Sequence, residues 1–327
     1  MNNCEKRDSV LNPGDLLVAH GPCTGAELLD LVDLEVFPLW QACCTQPGIV
    51  MRHIGRRYLR LDSVVEGYAR LSPSIRREFL NYTVVGLTGQ IGAIAARCLE
   101  LEQGFVRVSQ YKRELARDAI RRIVESSPNW ERMHAHVCCM IAGDVVYNMA
   151  HDFERPEPST GRLVRGSDLD VVIVLDEELT AAEREMLDEM VYREKWNMLV
   201  LPQFREEIDY VVKGMAEVLT QLQFDSLRHM IACKILHESE LLYGSAELFA
   251  RIKRLVNEFG IPGKLAHMQN MAMQEREAAE EELAGYSATE HAQACLHLFF
   301  TNAPRKEIRE RDRSTSLRQS VERQELQ

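Results

Sequence analysis

No CxxC pair occurs anywhere in the 327 residues, and the nine cysteines are an odd, scattered set. A structural zinc site needs ligand pairs at short spacing, and a disulfide framework needs an even set. Cys4, Cys23, Cys43, Cys44, Cys98, Cys138, Cys139, Cys233 and Cys295 stand mostly in apolar surroundings. They read as reduced thiols, which fits a cytoplasmic protein. A long apolar run is missing too. The most apolar stretch, Tyr82–Leu99, is broken by Gln90, Arg97 and three glycines. It falls short of the ~20 residues that span a bilayer, so no membrane association is expected. The first eight residues, MNNCEKRD, hold no apolar segment, so no secretory signal is expected. Positive charge is in deficit: 39 basic against 50 acidic residues leave −11. That excludes a surface coated by nucleic acid or an anionic membrane, but allows a local basic patch. There is no internal repeat. What remains is 46% apolar and 27% charged residues, the balance of a soluble globular chain. At roughly 150 residues per domain, about two domains are expected.

The pattern changes along the chain. Residues 16–62 read as a small helical module. Thr24 is a fitting N-cap for Ala26–Val32, and Leu34–Cys44 reads as a second helix. Ile49–Arg52 and Tyr58–Leu61 are β-like runs around a turn at Gly55–Arg57. Helix, helix, strand, turn, strand is the order of a winged helix, with Arg52, Arg56, Arg57 and Arg60 in its wing. Residues 63–129 read as a helical linker region. Ser72-Pro73-Ser74 starts one helix, and Tyr111–Glu125 is amphipathic. Residues 130–215 alternate: an apolar run at His134–Ala142, a nearly pure Val/Ile/Leu strand at Leu169–Leu175, helical spacing at Ala181–Tyr192 and a strand at Glu207–Val212. Such alternation indicates an α/β unit. Residues 216–303 are helical in pattern, with Tyr286–Phe300 as a last helix. Residues 304–327 are polar and charged, the composition of a disordered tail.

The sharpest motif is Gly166-Ser167-Asp168-Leu169-Asp170, running into Val171–Leu175. Aspartates at i and i+2 on a strand point to one face. Two carboxylates so close repel each other unless a cation neutralises them. A hard divalent cation with oxygen ligands, Mg²⁺ or Mn²⁺, suits them. A third carboxylate, Asp209, lies within the strand-like run Glu206–Lys213. If that strand lies beside Leu169–Leu175, the three form a site for one or two metals. The bland alternative is a strand end with two solvated aspartates. The buried run after Asp170 argues against it.

These residues resemble the nucleotidyltransferase superfamily, the polymerase-β-like fold. Its members carry an apolar strand ending in Gly-Ser or Gly-Gly, then Asp-x-Asp on a strand, then a third acid on a later strand. Ile141-Ala142-Gly143-Asp144 is the best match to the first motif, Ser167–Asp170 to the second and Asp209 to the third. The resemblance covers about residues 130–215, extending to 255 if Leu241–Ser245 matches the segment after the core. It implies a mixed α+β chain: a small mixed-sheet nucleotidyltransferase core between the N-terminal module and the C-terminal helices. It implies transfer of an NMP, AMP first among them, from an NTP such as ATP to an acceptor hydroxyl, with release of pyrophosphate. Asp168, Asp170 and Asp209 would hold metal and serve catalysis. Gly143, Gly166 and Ser167 would meet the phosphates, because small residues allow close approach. Arg162, Arg165 and Lys213 are near enough in sequence to neutralise phosphate. Asp144 departs from the pattern, since an anion stands where a small residue is expected. That leaves a catalytically silent, regulatory member of the fold as the alternative. The acceptor stays open among protein, small molecule and RNA.

Other signals compete. Gly86, Gly89 and Gly92 follow a β-like run and precede a helix, in the order of a dinucleotide-binding turn, with Phe105–Val108 as the next strand. The spacing is GxxGxxG, not GxGxxG, and no acidic residue closes that strand. Gly263-Lys264 lacks the rest of a phosphate loop, and His237-Glu238 lacks a second histidine. His134 and His136 read as structural, and His151-Asp152 is too short a signal for a metal phosphohydrolase. The four wing arginines suit phosphate contacts and make DNA or protein binding the rival function. The second helix, however, carries Glu35 and no lysine or arginine to read bases.

Overall fold

A computed structural model describes residues 12–285 together with Phe299. The expected helix at Tyr286–Phe300 and the tail at 304–327 fall outside the described residues, except for Phe299. The chain begins α1 (Pro13–His20), β1 (Cys23–Thr24), α2 (Gly25–Leu29), α3 (Val36–Thr45), β2 (Ile49–His53), β3 (Tyr58–Leu61), β4 (Ala69–Ser72), α4 (Ile75–Tyr82) and β5 (Thr83–Leu87). The 35-residue α5 (Ile91–Glu125) follows. Then come α6 (Trp130–His136), β6 (Val137–Ala142), β7 (Glu154–Pro156), β8 (Leu163–Arg165), β9 (Leu169–Leu175), α7 (Ala181–Val200) and β10 (Ile208–Gly214). The last elements are α8 (Met215–Gln221), α9 (Leu227–Glu238), β11 (Glu240–Gly244), α10 (Ala246–Glu258) and α11 (Ile261–Ala284). No helix among them is long and apolar enough to cross a membrane.

Local chemistry places several of these ends. Thr24 caps α2 and Thr180 caps α7, each in a capping box with a glutamate three residues on, Glu27 and Glu183. Ser74 caps α4 by accepting from the Arg77 N–H. α2 is shorter than the expected Ala26–Val32 and ends at Leu29.

The N-terminal part is built on a three-stranded sheet in the order β1-β5-β2. Leu17, Leu28, Leu39, Trp40 and Phe79 fill its core, and Phe299 packs edge-on against Trp40 and Phe37. β2 and β3 do not pair with each other. β2 runs antiparallel to β5, and β3 to β4. The hairpin expected of a wing is therefore not formed. Nor is Arg57 a free wing residue: its Nη2 lies 2.5 Å from Glu78 and 2.9 Å from Glu280. Arg276 of α11 joins the same carboxylate at 3.2 Å and donates to the Pro73 carbonyl. This buried network ties α11 to α4.

The helix α5 corrects a second expectation. Phe105–Val108 is not a strand but lies inside this helix, so no second strand follows the glycine turn. Buried or half-buried positions recur every three or four residues, from Ile94 and Cys98 through Leu101, Phe105, Ser109, Lys112, Ala116 and Ile120 to Val124. That helical period overrides the β-like character of one short run. At 1.5 Å per residue the helix is about 52 Å long. Its first half packs on β5 and its second on the central sheet. Gly86 serves packing there: a Cβ would lie 2.7 Å from Ile94.

The central sheet has the order β10-β9-β6-β11. β9 and β10 are parallel, joined by α7 as the crossover that parallel strands need. β6 runs antiparallel to both β9 and β11. Side chains alternate across it. Leu169, Val171, Ile173 and Leu175 join a core with α5 and α7. Val172 and Val174 join a second core with α8, α9, α10 and α11. Burial on both faces is why β6 and β9 read as continuous apolar runs.

Candidate functional site

Strand alternation decides where the aspartates go. Asp168 and Asp170 share the parity of Val172 and Val174, so they face the α9 side of the sheet. In the parallel β9–β10 pair Asp209 stands opposite Asp170, and in the β6–β9 pair Ala142 does. One ligand oxygen from each of Asp168, Asp170 and Asp209 lies within 4.8 Å of the other two. The carboxylates expected to gather do gather, at the ends of adjacent strands. Burial, followed by the charges of Asp209, Asp144 and Glu238, pushes the Asp170 carboxyl well above its ordinary value. A cation bound among these oxygens would relieve that repulsion. The donor set is hard oxygen, suited to Mg²⁺ or Mn²⁺. Lys195 of α7 reaches Asp209 Oδ1 at 3.3 Å.

The turn after β6 is shaped for close approach. Gly143 has φ +72, and a Cβ there would lie 2.0 Å from Asp170 Oδ2. Its N–H donates to Glu238 Oε1 at 3.2 Å. Glu238 Oε2 in turn takes the Tyr147 hydroxyl and sits 2.6 Å from Lys234. Tyr147 stacks on Tyr58 with ring centroids 4.2 Å apart, and Lys234 lies near both rings.

Asp144 follows Gly143 and is held from three sides. Arg77 Nη2 is 2.6 Å from its Oδ2, the Ser167 hydroxyl donates to the same oxygen at 2.9 Å, and the Tyr58 hydroxyl donates to Oδ1. Burial alone would raise this carboxyl, but Arg77 and Tyr58 outweigh it and hold it well below the usual carboxylate range. Nearby His151 is pushed down to about 3, chiefly by burial and then by the Arg77 charge. It is therefore a neutral imidazole.

The segment before β9 is anchored from the opposite side. Lys112 of α5 donates to the Arg165 carbonyl at 2.7 Å, and Arg155 donates to the Gly166 carbonyl at 2.6 Å. Two successive glutamates answer these cations: Glu206 lies 2.5 Å from Lys112, and Glu207 lies 2.9 Å from Arg155. Burial pushes Lys112 down and Glu206 up, each toward its neutral form. The residues that lead into β10 thus fix the residues that lead into β9.

The expected phosphate contacts divide. Gly143 and Ser167 lie beside the aspartates, though the Gly143 N–H and the Ser167 hydroxyl are engaged by Glu238 and Asp144. Gly166, at φ +55, is packed so tightly that a Cβ would lie 1.8 Å from the His151 carbonyl, so it serves the turn. Arg165 lines a cleft on the α5 side with Arg107, Tyr111 and Arg205. Arg162 is exposed. Lys213 is not at the site. It lies four residues beyond Asp209, roughly 13 Å along the strand, and its ammonium donates to Gln221 at 2.7 Å in the interior. Sequence proximity to Asp209 placed it on the correct strand but at the wrong end. Tyr58, Arg77, Tyr147, Lys195, Lys234 and Glu238 were not anticipated. The one sequence signal among them is Lys234 and Glu238 at i, i+4 on a helix.

Comparison with known proteins returns no matching family model, no matching curated protein and no matching solved structure.

Proposed function

We propose that the chain is a metal-dependent nucleotidyltransferase, moving AMP from ATP to an acceptor hydroxyl with release of pyrophosphate. One observation carries the reading: three carboxylates from adjacent parallel strands converge within 4.8 Å at the mouth of a buried sheet. Such a cluster is unfavourable without a cation. Its order, Asp-x-Asp on one strand and a third acid on the next, matches the chemistry of in-line phosphoryl displacement. Asp168 and Asp170 would hold the nucleotide-associated metal. Asp209 completes the set and is the group to accept the proton of the attacking hydroxyl. The acceptor oxygen forms a bond to the α-phosphorus as the bond to pyrophosphate breaks. Bound divalent cations supply neutralisation of the developing phosphate charge. Lys195 fixes Asp209, and the Lys112 and Arg155 anchors fix the approach to Asp168.

The test is label transfer from α-³²P-ATP with Mg²⁺ or Mn²⁺, using a cell extract as the acceptor source. Transfer lost in Asp168→Ala with Asp170→Ala supports the reading. No transfer, together with no metal-dependent nucleotide binding, sinks it. A second reading, a silent regulatory member of the same fold, draws on the carboxylates of Asp144 and Glu238. These occupy the donors that phosphate would need.

A further inference from the structure

We infer that Asp144 occupies a phosphate site of this chain, and that Arg77 is the residue that grips a phosphate oxygen when Asp144 withdraws. The inference rests on the nucleotidyl transfer reading and adds to it a residue from the N-terminal part.

The geometry is that of an oxyanion site already filled. Asp144 Oδ2 lies 2.6 Å from a guanidinium nitrogen and 2.9 Å from a hydroxyl, while Oδ1 accepts from Tyr58. Donors set this way around a carboxylate suit a phosphate equally, because both present oxygens to charge-assisted hydrogen bonds. The site adjoins the metal cluster, since Asp144 is among the charges that raise Asp170. Ser167 directly precedes Asp168, so a phosphate on Ser167 would also border the metal ligands. The Gly143 N–H, the backbone donor of the same turn, is covered by a second carboxylate, Glu238.

A fourth carboxylate beside three others is unfavourable unless compensated. Arg77 supplies that compensation at rest. The exchange keeps the charge balance: Asp144 turns out, a phosphate oxygen takes its place, and Arg77 and Ser167 keep an anion throughout. The Arg77 side chain remains 29% exposed, which leaves it open to incoming ligand. Arg77 comes from α4, ahead of the central sheet, so the nucleotide site is composite. Asp144 then acts as a gate that lowers affinity until a polyphosphate of sufficient charge displaces it.

The experiment is calorimetric titration of the full chain with inorganic pyrophosphate and with MgATP, after thermal melting has shown each variant folded. Asp144→Asn is expected to bind pyrophosphate about tenfold tighter than the unaltered chain, a gain of about 1.4 kcal/mol. The gain should vanish in Asp144→Asn with Arg77→Met. If Asp144→Asn does not fold, Arg77→Met alone decides. It is expected to weaken MgATP binding about tenfold, by the same conversion. Unchanged affinity in Asp144→Asn, a gain that survives Arg77→Met, or wild-type MgATP affinity in Arg77→Met alone would each overturn the inference. So would loss of Mn²⁺ binding in Asp144→Asn, read by electron paramagnetic resonance, because Asp144 would then be a metal ligand. Arg77-dependent pyrophosphate binding without any label transfer from α-³²P-ATP would uphold the phosphate site and reject nucleotidyl transfer.

Discussion

Asp209 stands directly opposite Asp170 in the β9–β10 pair, so two strands joined by a 20-residue helix deliver their carboxylates to one point. Burial and this neighbour raise Asp170. Replacing it with asparagine removes the repulsion but keeps the shape. Asp170→Asn is expected to melt higher than the unaltered chain in the absence of divalent metal. The rise corresponds to about 1 kcal/mol, or about 1–2 °C for a chain of this length. Mn²⁺ should raise the melting temperature of the unaltered chain and leave that of the variant unmoved. A variant that still responds to Mn²⁺ would place the metal elsewhere.

Gly143 is the position where one methyl group decides the site. A Cβ there would lie 2.0 Å from Asp170 Oδ2, on a backbone at φ +72 that side chains rarely adopt. Gly143→Ala is expected to destabilise the fold by about 1–3 kcal/mol and to displace Asp170. Mn²⁺ affinity should fall at least tenfold. Full affinity in a folded Gly143→Ala chain would show that the turn tolerates movement.

The Lys112–Glu206 pair is buried on both sides, with each side chain 1% exposed. Removing one partner strands the other in the interior. Lys112→Met is expected to destabilise by about 3–5 kcal/mol. Lys112→Met with Glu206→Leu should recover most of that loss, because no charge is left unpaired. Urea unfolding of the two variants makes the comparison. Equal losses in both would assign the effect to the lost Arg165 carbonyl bond.

Lys213 supplies a pH signature. Burial lowers it from the ordinary 10.5 to about 8. Below pH 8 the group is protonated in both folded and unfolded chains, and its buried charge weakens the fold. Between pH 8 and 10.5 the folded chain releases its proton first, while the unfolded chain still binds it. The contribution of Lys213 to stability therefore rises with pH across that window. The stability of the unaltered chain minus that of Lys213→Met, from urea curves, should increase from pH 8 to pH 10. A flat or falling difference would contradict the assignment.

The acidic cluster was legible because strand chemistry is local. Aspartates two residues apart ahead of Val171–Leu175 must share a face, and Glu206–Lys213 had strand character of its own. Thr24 was readable as a helix cap, and it caps α2. What escaped reading depends on docking between distant segments. Tyr58 and Arg77 reach Asp144 across 86 and 67 residues. No spacing rule carries that information. Asp144 looked like a flaw in the first motif because its counter-ion lies in another part of the chain. The strands around Gly55 were correct as strands and wrong as a pair, since β5 offers β2 a longer partner than β3 does. The glycine turn at 86–92 was correct locally, but the helical period of α5 overruled its continuation.

The order in which these pieces are synthesised follows from the topology. Chains emerge N-terminus first, at about 5–20 residues per second. Tyr58 and Arg77 leave the ribosome before Asp144, so that carboxylate meets its cation as it appears. Asp170 emerges with β6 already made, but Asp209 comes 209 − 170 = 39 residues later. Lys234 and Glu238 follow. The three metal-cluster carboxylates are thus complete only once β10 emerges, and a nascent chain stalled within α7 carries a neutralised Asp144 beside an unfinished acidic cluster.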